Sequence, residues 1–514
     1  MSQPLLINSL KYDLKSSLVV FLVALPLCLG IAVASGAPPM SGLIAGIIGG
    51  VIIGSLSGSH VSVSGPAAGL TVIVLDSIAT LGGFELFLGA VVIAGIIQLA
   101  FGLLKGGVLG YYFPHSVIKG MLTAIGLILI LKQIPHALGW DKDAMGDMAF
   151  LQLDNANTFS EIWYAIQYFS PGAIPITLIS LFIIYFFERP VIKNNPILGL
   201  VPGALWAVLF GILSNQFYAS YIPEWTLSGE HLVNIPVVER VEDLADLVTF
   251  PNFSKIASSE FWLIAFTIAI IASIETLLSI EAGDKMDPKK RITPASKELV
   301  AQGIGNSVSG LIGGLPITAV IVRTSANIAS GAKTKLSAIL HGVLLLVLVV
   351  GIANLLNQIP LSCLAAVLFM VGFKLAKPSI FVGEYEKGPN QFLPFIITVF
   401  AILFTDLLIG IGIGLVAGVF FVMRTNYRKS IIVTELKGKY LVKLQKDVSF
   451  LNKAPLRKAL ETIPEGSEVI INATKAQFID HDIQEVLNDF INAAPEKNIE
   501  VETEGLKYNL EEIL

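Results

Sequence analysis

From Leu14 to about Met423 the chain is a near-continuous succession of apolar runs of membrane-spanning length, separated by short polar connections. This constrains the fold more than any motif does. Inside a bilayer every backbone N–H and C=O must be paired within the protein, which leaves helices or a closed barrel. Runs such as LFLGAVVIAGIIQLAFGLL and FWLIAFTIAIIASIETLLSI have the length and pattern of helices. About fourteen such segments are expected. Of 514 residues, 54% are hydrophobic and only 14% charged, which excludes a soluble multidomain enzyme. A net charge of −5 speaks against a nucleic-acid partner. The first apolar run, about Leu14 to Ala34, is too long for the core of a cleavable leader and reads as the first span.

The charges between the runs alternate by side. Basic clusters fall at Lys11/Lys15, Lys105, Lys119, Lys285–Arg291, Lys333/Lys335 and Arg424–Lys429. The two longest connections, about 135–171 and 215–258, are mainly acidic. With fourteen spans all the basic clusters share one side, so both termini are expected in the cytoplasm. Beyond Lys429 the pattern becomes that of a small soluble α/β domain of about 80 residues. KYLVKLQKDVSF, SEVIINAT and NIEVET read as strands, APLRKALETI and HDIQEVLNDFINAA as helices. It carries no glycine-rich phosphate loop, and docking or dimerisation is its expected role.

Two segments are too short to cross. In GGLPITAVIVRTSANIASGAKT, Pro316 and the glycines before it block an earlier helix start, leaving a helix from about 317–320 to Ser330. At ~1.5 Å per residue it covers about 20 Å of the ~30 Å hydrocarbon core. Residues 59–83 repeat the design, with alternating HVSVS, then Gly65-Pro66, then a short apolar helix. Each reads as a strand leading into a half-helix. The strands satisfy their backbones most economically by pairing with each other, which points the two helix N-termini at one another. Such N-termini carry free N–H donors and partial positive charge, an anion site to which Arg323 would add a full charge. One segment is third in the chain and the other tenth, as an inverted repeat of seven requires.

Glu275 lies mid-span in IAIIASIETLLSI, with Ser279 one turn later on the same face. A carboxylate there costs at least ~2.5 kcal/mol without a partner. Three readings stand open. Glu275 couples protons or sodium, or it orients Arg323 as a gate, or it forms a buried ion pair with Arg323 that only joins two helices. Asp76 and Asp406 fall near span ends and read as capping or snorkelling groups. Gln98, Gln302 and Asn306 read as interhelical hydrogen bonders. Cys28 and Cys363 sit in apolar runs with no CxxC, and His60, His115, His136 and His341 have no metal-ligand spacing, so no metal or other cofactor is expected beyond a coupling H+ or Na+.

The stretches LPLCLGIAVASGAPPMSGLIAG, VSGPAAGLTVIV, SIETLLSIEAGDKM and GLPITAVIVRTSANIASGAKT resemble the SulP anion transporter family, bacterial relatives of the mammalian family that includes prestin and pendrin. LQKDVSFLNKAPLRKALETIPEGSEVIINATKAQFIDHD resembles that family's STAS domain. The resemblance implies an α-helical membrane protein, a seven-plus-seven inverted-repeat transporter with core and gate domains and a C-terminal STAS domain. Residues 1–428 would form the transmembrane part, with repeats at about 14–215 and 259–425, and residues 429–514 the cytoplasmic STAS domain. It further implies a homodimer in the bacterial inner membrane, multi-pass and working by an elevator-like motion. Anion contacts would come from backbone N–H groups around Ala67, Ala68 and Gly69 and around Val320, Ile321, Val322 and Arg323. Glu275 would be the eighth-span acidic position.

Leu27 and Ile31 stand where many members have a glutamine and an aromatic lining the pocket, and Val322 where serine is common. That favours a small monoanion, bicarbonate or chloride, over sulfate, and LPLCLGIA resembles a branch associated with bicarbonate. Sodium–bicarbonate members have a small residue where Arg323 stands, and a cation beside Arg323 is disfavoured. The expectation is a secondary active carrier of a small inorganic anion and not an enzyme. A dicarboxylate or nucleobase permease of the same fold, or a membrane sensor or scaffold acting through the STAS domain, are the alternatives.

Overall fold

A computed structural model of the chain describes residues 3–142, 150–151, 156–193, 195, 201–235, 237, 248–427, 431–436 and 438–506. Parts of both acidic connections and the 428/429 domain boundary lie outside these. The chain forms two compact units, Met1–Lys387 with Phe392–Leu415, and Gly388–Gln391 with Val416–Leu514.

Span 1 is Gln3–Ala34. Span 2 runs as helix Pro39–Ile48, a π-helical turn Gly49–Ile53 and a last turn Gly54–Leu56. Span 3 is strand β1, Ser64–Pro66, then a helix entered through Ala68–Leu70 and continued by Thr71–Leu81. Spans 4 to 7 are Phe84–Leu103, His115–Leu138, Ala173–Phe187 and Gly203–Tyr221. Spans 8 and 9 are Ser259–Met286 and Ala295–Leu311. Span 10 is strand β2, Ile317–Ala319, then helix Ile321–Ala329. Spans 11 to 14 are Leu336–Leu356, Leu361–Leu375, Pro389–Phe404 and Leu407–Tyr427. Among the described residues, seven helical stretches are long and apolar enough to cross a bilayer unaided. The strand-led helices stand third and tenth, so the fold is the seven-plus-seven inverted repeat.

Within the first unit spans 1–4 pack with 8–11, and spans 5–7 pack with 12. Small residues set the closest approaches, as membrane packing requires. A Cβ at Gly50 of span 2 would lie 2.5 Å from Gly342 Cα of span 11.

The second unit carries a four-stranded sheet. Strand β3, Ile431–Leu436, pairs antiparallel with β4, Lys439–Val448. β4 then pairs parallel with β5, Glu468–Ile479, and β5 with β6, Glu500–Glu504. Helices Lys453–Glu461 and His481–Ala493 provide the crossovers. Val442, Leu444, Val469 and Ile471 from the sheet meet Leu456, Ile483 and Leu487 from the helices in a core of its own. β3 was not expected from the sequence. It follows span 14 directly, and its only local signal is a short β-branched run, IIVT.

Candidate functional site

The two membrane strands pair antiparallel, Ser64 with Ala319, Gly65 with Thr318 and Pro66 with Ile317. Flanking bonds extend the pairing, Val320 N–H to Val63 O at 2.9 Å and Ala67 N–H to Pro316 O at 3.3 Å. The paired stretch therefore takes in only the end of HVSVS and continues to Pro66, which is inside it instead of opening the helix. Proline is tolerated there because its partner's polar groups are satisfied elsewhere. Ile317 N–H donates to Asn306 Oδ1 at 2.6 Å, and Asn306 Nδ2 donates to Ile317 O at 3.0 Å. Asn306 also donates to Gln98 Oε1 at 2.8 Å, and Gln302 donates to Ser64 Oγ at 2.7 Å. On another edge Ala319 N–H reaches Thr276 Oγ1 at 3.3 Å. The amide side chains that read as interhelical hydrogen bonders thus complete a two-stranded sheet at membrane depth, as the absence of water there demands.

The pairing fixes which amides are open. Ala67 and Val320 N–H groups are consumed by it, so neither is available to a ligand, contrary to their expected role. In span 10 the first intrahelical bond is Thr324 N–H to Val320 O at 2.9 Å. The amides of Ile321, Val322 and Arg323 precede it and are the orphan donors of the first turn. In span 3 the amides of Ala68 and Gly69 hold the same position, since Leu70 N–H already bonds Ala67 O at 3.2 Å. A cavity of about 60 Å³ opens in front of both tips, lined by Ala68 and Gly69 from one side and Val320, Ile321 and Val322 from the other. Glu275 and Ser279 of span 8 line it as well. Its remaining wall is aliphatic, from Ile271, Ile274 and Leu278 of span 8, Met121, Ile125 and Ile128 of span 5, and Leu407 and Ile411 of span 14. The spacing 121/125/128 puts three side chains on one helix face. In the sequence these residues are indistinguishable from core.

Glu275 is directed at the tip of span 3. Its carboxylate stands against Gly69, where an added Cβ would lie 3.3 Å from Oε2 and 3.4 Å from Oε1. Oε2 itself has no hydrogen-bond partner among the described residues. No ion pair joins Glu275 to Arg323 among the described residues.

The expected anion-binding Arg323 side chain and the expected pocket-lining Leu27 and Ile31 are placed differently. Arg323 is fully buried but does not line the cavity. Its guanidinium lies against Gly65, where a Cβ would come within 2.0 Å of Nη1, and Nη2 donates to Cys28 Sγ at 3.1 Å. Only a glycine on β1 leaves that room, so the side chain runs back along the strand pair instead of forward past the tip. Leu27 and Ile31 are buried in the hydrophobic core of span 1 and are not among the cavity-lining residues.

Two truncated helices meeting tip to tip beside a half-buried carboxylate, inside a repeat-built helical bundle, are features of the class of multi-pass membrane transporters. Comparison with known proteins narrows the class. The sulfate permease family profile matches residues 10–398, and the chain belongs to that family. It is 28% identical to the bicarbonate transporter BicA of Picosynechococcus sp., over 82% of this chain and 72% of that one. It is 29% identical to the putative sulfate transporter YvdB of Bacillus subtilis, over 80% and 74%. Among solved structures, the transmembrane domain of a cyanobacterial BicA superposes with a TM-score of 0.55 at 26% identity, covering 80% of this chain and 98% of that one. Murine Slc26a9 in its inward-facing state superposes at 0.67 over 97% and 86%, and at 14% identity it shares the fold. The chain is accordingly a membrane anion transporter with bicarbonate- and sulfate-transporting relatives.

Proposed function

We propose that this chain is a secondary active carrier of a small monovalent inorganic anion, with bicarbonate or chloride preferred over sulfate, and that a proton on Glu275 is coupled to anion binding. The observation that carries the reading is the shared target of carboxylate and substrate. Each helix N-terminus is worth about half a positive charge, so two facing tips offset about one negative charge. An ionised Glu275, set against Gly69 at the tip of span 3, takes part of that charge for itself. A proton on Glu275 releases it to the substrate. The aliphatic walls favour a monoanion, because the cost of desolvating an ion rises steeply with its charge.

The same walls bear on the motion. Ala68, Gly69, Glu275 and the span 10 amides belong to the packed group of spans 1–4 and 8–11, whereas Met121 and its neighbours belong to the other group. An apolar wall without fixed hydrogen bonds suits an elevator-like slide of one group past the other. Both termini in the cytoplasm, a bacterial inner membrane and a homodimer complete the proposal, supported by the sidedness of the basic clusters and by the family.

The test is uptake into proteoliposomes of labelled chloride, bicarbonate, sulfate and uracil, each with and without a sodium gradient. Chloride serves for the pH series because its charge does not change with pH. Uptake of chloride and bicarbonate above sulfate, indifferent to sodium and increased by an inward proton gradient, is expected. Glu275→Gln should bind anion yet lose the pH dependence. Preferred uptake of sulfate or uracil, or an unaltered pH profile in Glu275→Gln, overturns the reading.

A further inference from the structure

The guanidinium of Arg323 has a chemistry of its own, apart from the cavity. It is 0% exposed, and its Nε and Nη1 have no hydrogen-bond partner among the described residues. Its one bond is to a thiol, a weak acceptor. His341 of span 11 is also 0% exposed, with neither ring nitrogen partnered among the described residues. Span 2 connects the two. A Cβ at Gly46 would touch both Leu345, one turn beyond His341, at 3.0 Å, and Arg323 Nη1 at 3.7 Å.

Thr318 is the third member. It is the direct cross-strand partner of Gly65, so its side chain shares the face on which the guanidinium lies. Thr318 Oγ1 is buried and likewise has no hydrogen-bond partner among the described residues. Three polar side chains, all fully buried, thus leave five nitrogen or oxygen atoms unsatisfied among the described residues, and one of the three carries a full positive charge. A buried charge without a counter-charge is among the costliest arrangements in a protein interior, and an unmade hydrogen bond to a charged group adds to it. Arg323 is planar and permanently charged, with donors arranged for an anion.

We propose that Arg323, His341 and Thr318 form a second, closed anion site for a monovalent ion of halide size, on the face of the strand pair that carries Gly65 and outside the lining of the transport cavity. The ion is a resident counter-charge rather than cargo. It neutralises Arg323, and so sets how much positive field reaches the two helix tips. The inference does not depend on which anion the cavity carries.

The experiment is anomalous diffraction from the full chain crystallised in bromide, paired with His341→Phe, a residue outside the cavity. A bromide peak within hydrogen-bonding distance of Arg323 Nε or Nη1 and of His341 is expected, and it should be lost or strongly reduced in His341→Phe. That variant should still take up labelled anion but lose the dependence of its uptake rate on halide. Bromide only at the helix tips overturns the second site while leaving the transport proposal intact. Ordered water without anomalous signal beside Arg323 overturns it equally. Bromide at Arg323 in a protein that carries no anion would uphold this site and remove the transport proposal instead.

Discussion

At the scale of single residues, Asn306 is the most exposed to test. Among the described residues it alone satisfies both polar groups of Ile317, and it is 2% exposed. Asn306→Leu leaves a buried N–H and a buried C=O unpaired, at about 1–3 kcal/mol each. The thermal midpoint in detergent should fall and uptake with it. Gln98→Leu, which removes only Asn306's own acceptor, should cost less. A midpoint unchanged in Asn306→Leu would show that the strand edge is satisfied in another way. The sequence made Glu275 and Arg323 conspicuous, because an ionised group inside an apolar run has few inexpensive explanations. It could not show where the guanidinium goes. That depends on Gly65, which reaches Arg323 only through strand pairing between distant halves.

At the scale of elements, the connection after span 7 is tied down by an ionic contact outside the membrane. His136 at the end of span 5 and His231 in that connection both donate through Nδ1 to Asp141, at 2.6 and 2.7 Å. Four residues on, Ile235 N–H and C=O are held by Asn357 at 2.7 and 2.9 Å, next to the joint of spans 11 and 12. Burial pushes the Asp141 carboxyl up, but the two imidazole bonds outweigh it and leave it below the usual range. The bond to Asp141 raises His231 against the opposing pull of burial, and Glu230 adds to the rise. The raised histidine stabilises the folded loop fully below the ordinary histidine range and loses that contribution as pH climbs through its raised value. The lowered carboxyl contributes above the ordinary aspartate range and is lost only in strong acid. The tie is therefore firmest in mild acid. Backbone hydrogen exchange of residues 231–235, corrected for intrinsic rate, should quicken from about pH 6 to about pH 9. In His231→Gln the corrected rate should be flat, and a flat wild-type profile would remove the tie. The half-helices were legible because proline, glycine and short length leave little else. This tie was not, because a residue at the end of span 5 and one from each of two connections carry no local signature.

At the scale of the whole molecule, the count of spans and the change to a soluble domain could be read from hydropathy, since both are properties of the chain in order. The grouping of spans 1–4 with 8–11 could not, because helix partners are chosen by small-residue contacts between distant segments. The second unit has a sheet and a core of its own, which suits the proposed dimer. Full-length protein in detergent should sediment at twice the chain mass, and a chain ending at residue 428 should show whether the soluble domain is needed. A monomeric full-length protein would remove the dimer. The β1–β2 pairing has a further consequence during synthesis. Its partners leave the ribosome a half-chain apart, so span 3 must wait in the translocon or the lipid with its strand edge unmet until span 10 arrives. The cavity between the two tips is thus assembled late, and a ribosome stalled between the repeats would release a nascent chain that quality-control proteases can recognise by that unmet edge.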